Sequence, residues 1–289
     1  MKLRLALLLV ALLAPVFFVV PTYASVDDFT ISNYTIDYLL SRDAEGRSVL
    51  KTVETITAEF PDFDQNHGIE RAVPLSYNGH TTNLAIDSVQ HADGSSWNYT
   101  TYTSNDNAVI RIGDAATYVH GEQTYVITYT QHDVTNYFTN TNDDEFYWDT
   151  NGTEWRIPIT HLSVVTRISD GLQAALNGNT SCYVGFSGSN QPCQITQDGS
   201  VFTVSADNLA AGENVTTAIG FRPNTFTPYQ KTTWDKFINI FKYVWSSLVV
   251  VGFAAIFWVP LKWSSVVSRK KEIGTVVPEY IPPKDVSVT

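Results

Sequence analysis

The chain has 289 residues, of which 44% are apolar and 16% charged, which excludes wholesale disorder. Its 18 basic and 29 acidic residues give a net charge of −11, an argument against a nucleic-acid partner. Two cysteines are too few for a cysteine-rich zinc module.

The first predicted element is a leader. Lys2 and Arg4 open it, an apolar run broken only by Pro15 fills positions 5–20, and Ala24 closes a small-residue cleavage pattern. That run is near the lower limit for crossing ~30 Å of hydrocarbon, and Pro15 would weaken a long helix. Residues 1–24 are expected to be a signal peptide.

Residues 25–230 are then an exported domain with 8 basic and 25 acidic residues, a net charge of −17. Such a surface suits solubility and contact with cations, and it disfavours adhesion to anionic lipid or wall polymer. Period-two alternation runs through Tyr125, Ile127 and Tyr129, through Leu162, Val164, Thr166 and Ile168, and through Val215, Thr217, Ile219 and Phe221. Further strands are expected at 29–40, 48–60, 84–91, 97–103, 108–112, 182–186 and 200–204. Asp93-Gly94 and Asp198-Gly199 are turn signals between them. No long stretch repeats every 3.6 residues. About ten short strands predict a mainly β fold, an antiparallel β-sandwich. Two stacked subdomains divided near Asn140 are the other arrangement the pattern allows.

Three segments of this domain gather chemistry-bearing residues. The first, 66–74, follows a Pro61-Asp62 turn and is expected to be a loop. There His67 and Arg71 could meet an anionic ligand or the acid cluster at 143–155, or Arg71 could pair with a buried carboxylate in a structural loop. The second, Arg111 to Asp114, has the form of a strand end and turn. The third is the densest: Asp143, Asp144, Glu145, Asp149 and Glu154 share thirteen residues with Trp148 and Trp155. Asp149 and Asn151, followed by Gly152, faintly resemble part of a calcium loop. Carboxylates beside aromatics also line sugar clefts. In the plainest account, Phe146 and Trp148 pack in the core and Asn151-Gly152 turns the chain.

Cys182 and Cys193, eleven positions apart, are expected to form a disulfide across a Gly/Ser loop. A closure of that length contributes ~2–3 kcal/mol in the chain-entropy account. Asn-x-Ser/Thr triplets begin at Asn33, Asn98, Asn151, Asn179 and Asn214, and in a chain rich in Asn and Thr they are read as chance. The sequence lacks HExxH, G-x-S-x-G, a P-loop and a dinucleotide fingerprint, so catalysis is not the favoured role.

After a juxtamembrane segment at 231–242, residues 243–261 form an uncharged run between Lys242 and Lys262. Nineteen residues at ~1.5 Å each match the bilayer core. Trp234, Phe237, Phe241 and Trp245 mark one edge, and Phe257, Trp258 and Trp263 the other. A cleaved leader sends the domain across the membrane and leaves Lys262, Arg269, Lys270 and Lys271 on the retained side. Lys231, Lys236 and Lys242 on the other flank blur the charge asymmetry, so it is the leader that places the 262–289 tail, expected to be unfolded, on the cytoplasmic side.

The order His67-Gly68-Ile69-Glu70-Arg71, Arg111-Ile112-Gly113-Asp114, Tyr125 to Tyr129, and Asp144 to Asp149 with Gly152 and Trp155, resembles the YciQ-like predicted membrane proteins. These form the family of the domain of unknown function 2207. The run Val276 to Lys284 is similar to that family's linker after the membrane helix. The resemblance implies a leader, an exported β-rich domain, a membrane helix and a further cytoplasmic part with more membrane helices. It implies no activity and no catalytic residue. Because the chain ends at Thr289, a truncated member or a fragment is expected.

The expected function is that of a single-pass, membrane-anchored cell-envelope protein whose exported domain is a binding or assembly module. Its expected surface is Asp144, Glu145, Trp148, Asp149 and Trp155 with His67 and Arg71, presented on exposed loops. Expected partners are the bilayer and other envelope proteins or glycans. No cofactor is expected beyond the candidate Ca²⁺ at Asp149 and Asn151. The alternatives are an envelope glycan hydrolase using the 143–154 carboxylates and a structural scaffold for a membrane complex.

Overall fold

The computed structural model describes residues 27–230 and 233–270. The expected signal peptide and the Pro-rich end of the tail lie outside the described residues. The chain divides into two compact units, Met1–Tyr229 and Gln230–Thr289.

The first unit is mainly β, as the alternation predicts. Its largest sheet has seven strands, in the order β15 (Ile195–Asp198), β16 (Val201–Leu209), β12 (Ile159–Ile168), β1 (Thr30–Arg42), β2 (Ser48–Phe60), β9 (Gly121–His132) and β6 (Ala85–Gln90). All its pairings are antiparallel except β1 with β12, which run parallel with Ile36 beside Val164. A five-stranded sheet runs β10 (Asn136–Phe138), β11 (Asp143–Asp149), β17 (Asn214–Phe221), β13 (Leu176–Gly185) and β14 (Gln191–Pro192). A three-stranded sheet runs β3 (Gly68–Pro74), β8 (Asn107–Gly113) and β7 (Tyr99–Ser104), and β4 (Ser76–Tyr77) pairs with β5 (His80–Thr81). A single helical turn, α1 (Asp170–Gln173), follows β12.

The strands form because every second residue is apolar, and one face of the large sheet is buried. On β1 that face carries Tyr34, Ile36, Tyr38 and Leu40; on β9 it carries Tyr125, Ile127 and Tyr129. The opposing layer is split between the smaller sheets. Tyr38 meets Phe146 of β11 edge-on at 6.1 Å, and its hydroxyl donates to the Thr150 carbonyl at 2.8 Å. β3 meets β2 through Arg71 and Glu54. The result is one continuous core with contributions from all three large sheets.

Two local expectations hold in detail. Asp198-Gly199 turns the chain between β15 and β16, with Gly199 at φ +59°. Cys182 and Cys193 form a disulfide that ties β13 to the residue after β14, with Cα atoms 5.0 Å apart. The 66–74 segment differs from its expectation: it is strand β3 from Gly68 onward. Its Ile69, Arg71 and Val73 form an inward row, and the central charge hides the alternation from a hydrophobicity count.

The second unit holds helix α2 (Thr233–Lys270), 38 residues long with Pro260 inside it. Its window Tyr243–Pro260 has a mean hydropathy of 1.8, and α2 is the one described helix long and apolar enough to cross a membrane. The helix runs past Lys262 to Lys270, so the start of the expected unfolded tail is helical. The sequence offers no Gly or Pro between Pro260 and Gly274 to stop it.

Gly68 and Gly113 face each other across β3 and β8, at φ +139° and +134°. A Cβ on Gly68 would lie 1.8 Å from the Ile112 carbonyl oxygen, and one on Gly113 equally close to that of His67. Backbone cannot yield as a side chain can. Gly68→Ala is therefore expected to cost at least about 2 kcal/mol, measured as a lowered denaturation midpoint, while alanine at the unobstructed Gly94 of the Asp93-Gly94 turn costs less.

Candidate functional site

Two charges stand in the apolar rows of the core. On β2 the inward row is Ser48, Leu50, Thr52, Glu54, Ile56, Ala58 and Phe60; on β3 it is Ile69, Arg71 and Val73. Glu54 is 0% and Arg71 2% exposed. They meet fork to fork: Arg71 Nε donates to Glu54 Oε2 at 2.8 Å, and Nη2 donates to Oε1 at 2.7 Å. The Tyr129 hydroxyl donates to the same Oε1 at 2.6 Å. Arg71 Nη1 donates to the Ala72 carbonyl at 2.6 Å, and the guanidinium lies 5.9 Å from the Trp155 ring centre. Burial opposes the Arg71 charge, but Glu54, Tyr34 and Tyr129 outweigh it and hold the guanidinium well above its ordinary pKa. Burial, reinforced by Glu54, likewise raises the Tyr129 phenol, which stays a neutral donor.

This cluster is sealed from solvent. Beside it opens a cleft of ≈ 630 Å³ between the three-stranded sheet and the 154–157 segment. Ile69, Val109, Ile112, Trp155 and Ile157 give it an apolar floor, with Phe29 at its side. Its rim is charged. Arg111 Nε donates to Glu70 Oε1 at 2.6 Å, the Tyr102 hydroxyl donates to Glu70 Oε2 at 3.0 Å, and the guanidinium lies 5.1 Å from the Tyr102 ring centre. Arg156 reaches Asp27 at 3.4 Å. His67 Nδ1 lies 2.9 Å from the Thr117 carbonyl and 3.2 Å from that of Asp114. Both oxygens can only accept, so Nδ1 carries the proton. The ring stacks on Tyr118 at 4.4 Å.

The cleft joins parts of all three segments selected from sequence: His67 to Glu70, Arg111 to Asp114, and Glu154 with Trp155. It does not collect Asp144, Glu145, Trp148 or Asp149. On β11, Asp144 and Trp148 are buried, Glu145 is half-buried and Asp149 is exposed. Asp144, Trp148, Trp155 and Arg71 thus lie in the core and not on exposed loops. Alternation explains it, since β11 turns Asp144, Phe146 and Trp148 to one side.

The acids of this segment are engaged locally. Asp143 accepts from Asn179 Nδ2 at 2.7 Å, Asp144 from the Phe226 amide at 3.0 Å, Glu145 from Thr141 at 2.7 Å and Asp149 from Thr216 at 2.6 Å. Only Glu154 of the five lines the cleft. No acid-and-nucleophile pair is therefore assembled there from the 143–154 carboxylates. Asn151 accepts from the Val215 amide at 2.9 Å and donates to the Glu213 carbonyl at 3.0 Å, while Trp155 Nε1 donates to the Asn151 carbonyl at 3.1 Å. The turn is thus held by protein contacts. Among the described residues no group of three or more His, Cys, Asp or Glu side chains has metal-binding geometry.

Sequence reasoning missed Glu54, although a Glu in the inward row of an alternating strand is a legible signal. It also missed Tyr102, Arg156, Val109 and Phe29. Tyr102 and Val109 reach the cleft through the pairing of β3, β8 and β7, while Arg156 directly follows the 143–155 segment.

A family profile described as "Predicted membrane protein (DUF2207) N-terminal domain" matches residues 30–221. No curated protein matches the chain by sequence. Among solved structures, leukotriene A4 hydrolase from Saccharomyces cerevisiae is 13% identical with a TM-score of 0.42, covering 70% of this chain and 31% of that one. An M1 zinc metallopeptidase from Deinococcus radiodurans is 9% identical with a TM-score of 0.37, covering 66% and 42%. The chain matches under half of the length of these larger proteins.

Breaking one side of a buried pair strands the other charge, a loss of about 3–5 kcal/mol. Arg71→Met and Glu54→Gln are each expected to lower the unfolding free energy by that order. The combined Glu54→Leu and Arg71→Met chain is expected to recover most of it, as read by chemical denaturation.

Proposed function

The chain belongs to the DUF2207 family of predicted membrane proteins, and on that premise we propose that it is a membrane-anchored binding module of the cell envelope. Residues 1–24 serve as the signal peptide, 25–230 as the extracytoplasmic domain, 231–242 as the juxtamembrane segment, 243–261 as the span and 262–289 as the cytoplasmic tail. The leader pattern, the acidic domain and the Lys/Arg group after the span support this orientation. The helix anchors, and the β domain recognises a partner.

The cleft beside β3 carries the proposal. An apolar floor with convergent polar groups is the usual form of a recognition site, and ≈ 630 Å³ lies within the ordinary range for one. One wall belongs to a sheet joined to the core and the other to a turn that packs on Arg71 and β17, so the site is held in shape before any partner arrives. Of the residues selected from sequence, His67 and Trp155 belong to it, and Arg71 supports it from beneath.

The test is photo-crosslinking in intact cells, with a benzophenone amino acid at Tyr102 or Arg156 in the cleft and at exposed Tyr147 outside it. A discrete adduct from the cleft positions, absent from Tyr147, is expected. Equal labelling at all three, or none at the cleft positions, would remove the proposal.

A further inference from the structure

We propose that the cleft takes a basic peptide segment, with an apolar side chain on the floor and its cationic groups met by Glu154 and Asp114. This rests on the cleft being the recognition surface and adds the chemical class of its ligand.

The charge balance of the lining supports that class. Four carboxylates line the cleft, on Asp27, Glu70, Asp114 and Glu154, against two guanidiniums, on Arg111 and Arg156. Both guanidiniums already face a carboxylate of the same cleft: Arg111 faces Glu70 and Arg156 faces Asp27. The remaining two acids have no cation. Asp114 accepts only amide hydrogens, from Ala116 at 2.8 Å and Asn98 at 3.3 Å. Glu154 is exposed and, among the described residues, has no hydrogen bond or ion pair. The cleft thus keeps a formal excess of two negative charges, within a domain of net charge −17. That field draws cations in and repels acidic ligands.

The lining favours an organic ligand over a bare ion. No metal-ligating group is assembled among the described residues, and aromatic and aliphatic edges of Phe29, Tyr102, Val109 and Trp155 line the cleft beside Asp114 and Glu154. A peptide alternating basic and aromatic residues satisfies both surfaces. Its aromatic ring can lie against Ile157 and the Trp155 edge while lysines reach the rim.

The experiment uses the full chain in uncharged detergent micelles and isothermal titration calorimetry. The probe is the peptide lysyl-tryptophyl-lysyl-phenylalanyl-lysine amide; its counterpart with glutamate in place of lysine, and spermine, are comparators. Saturable one-to-one binding of the lysine peptide is expected, with both comparators weaker by about tenfold or more. Glu154→Arg is expected to weaken the lysine peptide by about tenfold while the thermal midpoint holds, because Glu154 is exposed and, among the described residues, makes no hydrogen bond or ion pair. Equal binding of the lysine and glutamate peptides, no binding of either, or indifference to Glu154→Arg would overturn the proposal. Should the peptides fail while cleft crosslinks persist, the ligand class is wrong and the recognition surface stands; loss of both removes the surface as well.

Discussion

Glu54 and Arg71 are formal charges set in rows of Leu, Ile, Val and Phe, and the three-stranded sheet is joined to the large sheet where they meet. Taking either ion out of water costs on the order of several kcal/mol, and attraction between the two repays it only with near-ideal geometry. That geometry is present. The guanidinium and carboxylate meet in parallel, Tyr129 donates to the same carboxylate, and Ala72 accepts the guanidinium's remaining reach. An apolar pair of similar volume could be equally stable, so the ion pair is better understood as fixing register. β3 shifted by one residue would bury Glu70 and lose Arg71 from the core.

The cleft follows from that docking. Arg71 lies under the Trp155 ring, and a Cβ on Gly152 would stand 3.2 Å from its Nη1, so the turn ending in Trp155 packs directly on the guanidinium. The same turn is tied to β17 through Asn151. Glu154 and Arg156 emerge from it at the rim, while the facing Gly68 and Gly113 let β3 and β8 approach closely at the other wall. A sealed ion pair thereby helps set the position of an open site lined by residues on either side of Arg71 and by the 102–115 and 154–157 stretches. The rigidity of the site comes from the core, and its chemistry comes from these separate segments.

Much of this was legible in the sequence. Alternation located the long strands, because a half-buried strand must repeat every two residues, and the Cys182–Cys193 disulfide was readable from spacing and its Gly/Ser loop. The 143–155 segment stands out in the sequence only as a whole, since composition does not tell which face a residue takes. Asp144 and Trp148 went inward with the period of β11, and only the end at Glu154 and Trp155 reached the cleft. Arg71 was seen with its alternative of a buried carboxylate partner, but not as part of a strand. Glu54 lies 17 positions away, and such a pairing depends on sheet order that no local pattern encodes. The split of the second layer was hidden for the same reason.

Amide hydrogen exchange in a Glu54→Gln chain tests most directly whether the ion pair holds the three-stranded sheet in place. The account predicts that the 68–74 and 107–113 amides lose more protection than those of β1, β2 and β12, beyond the common loss that follows from lowered global stability. Unchanged protection in β3 and β8, or a loss spread evenly over all strands, would contradict it.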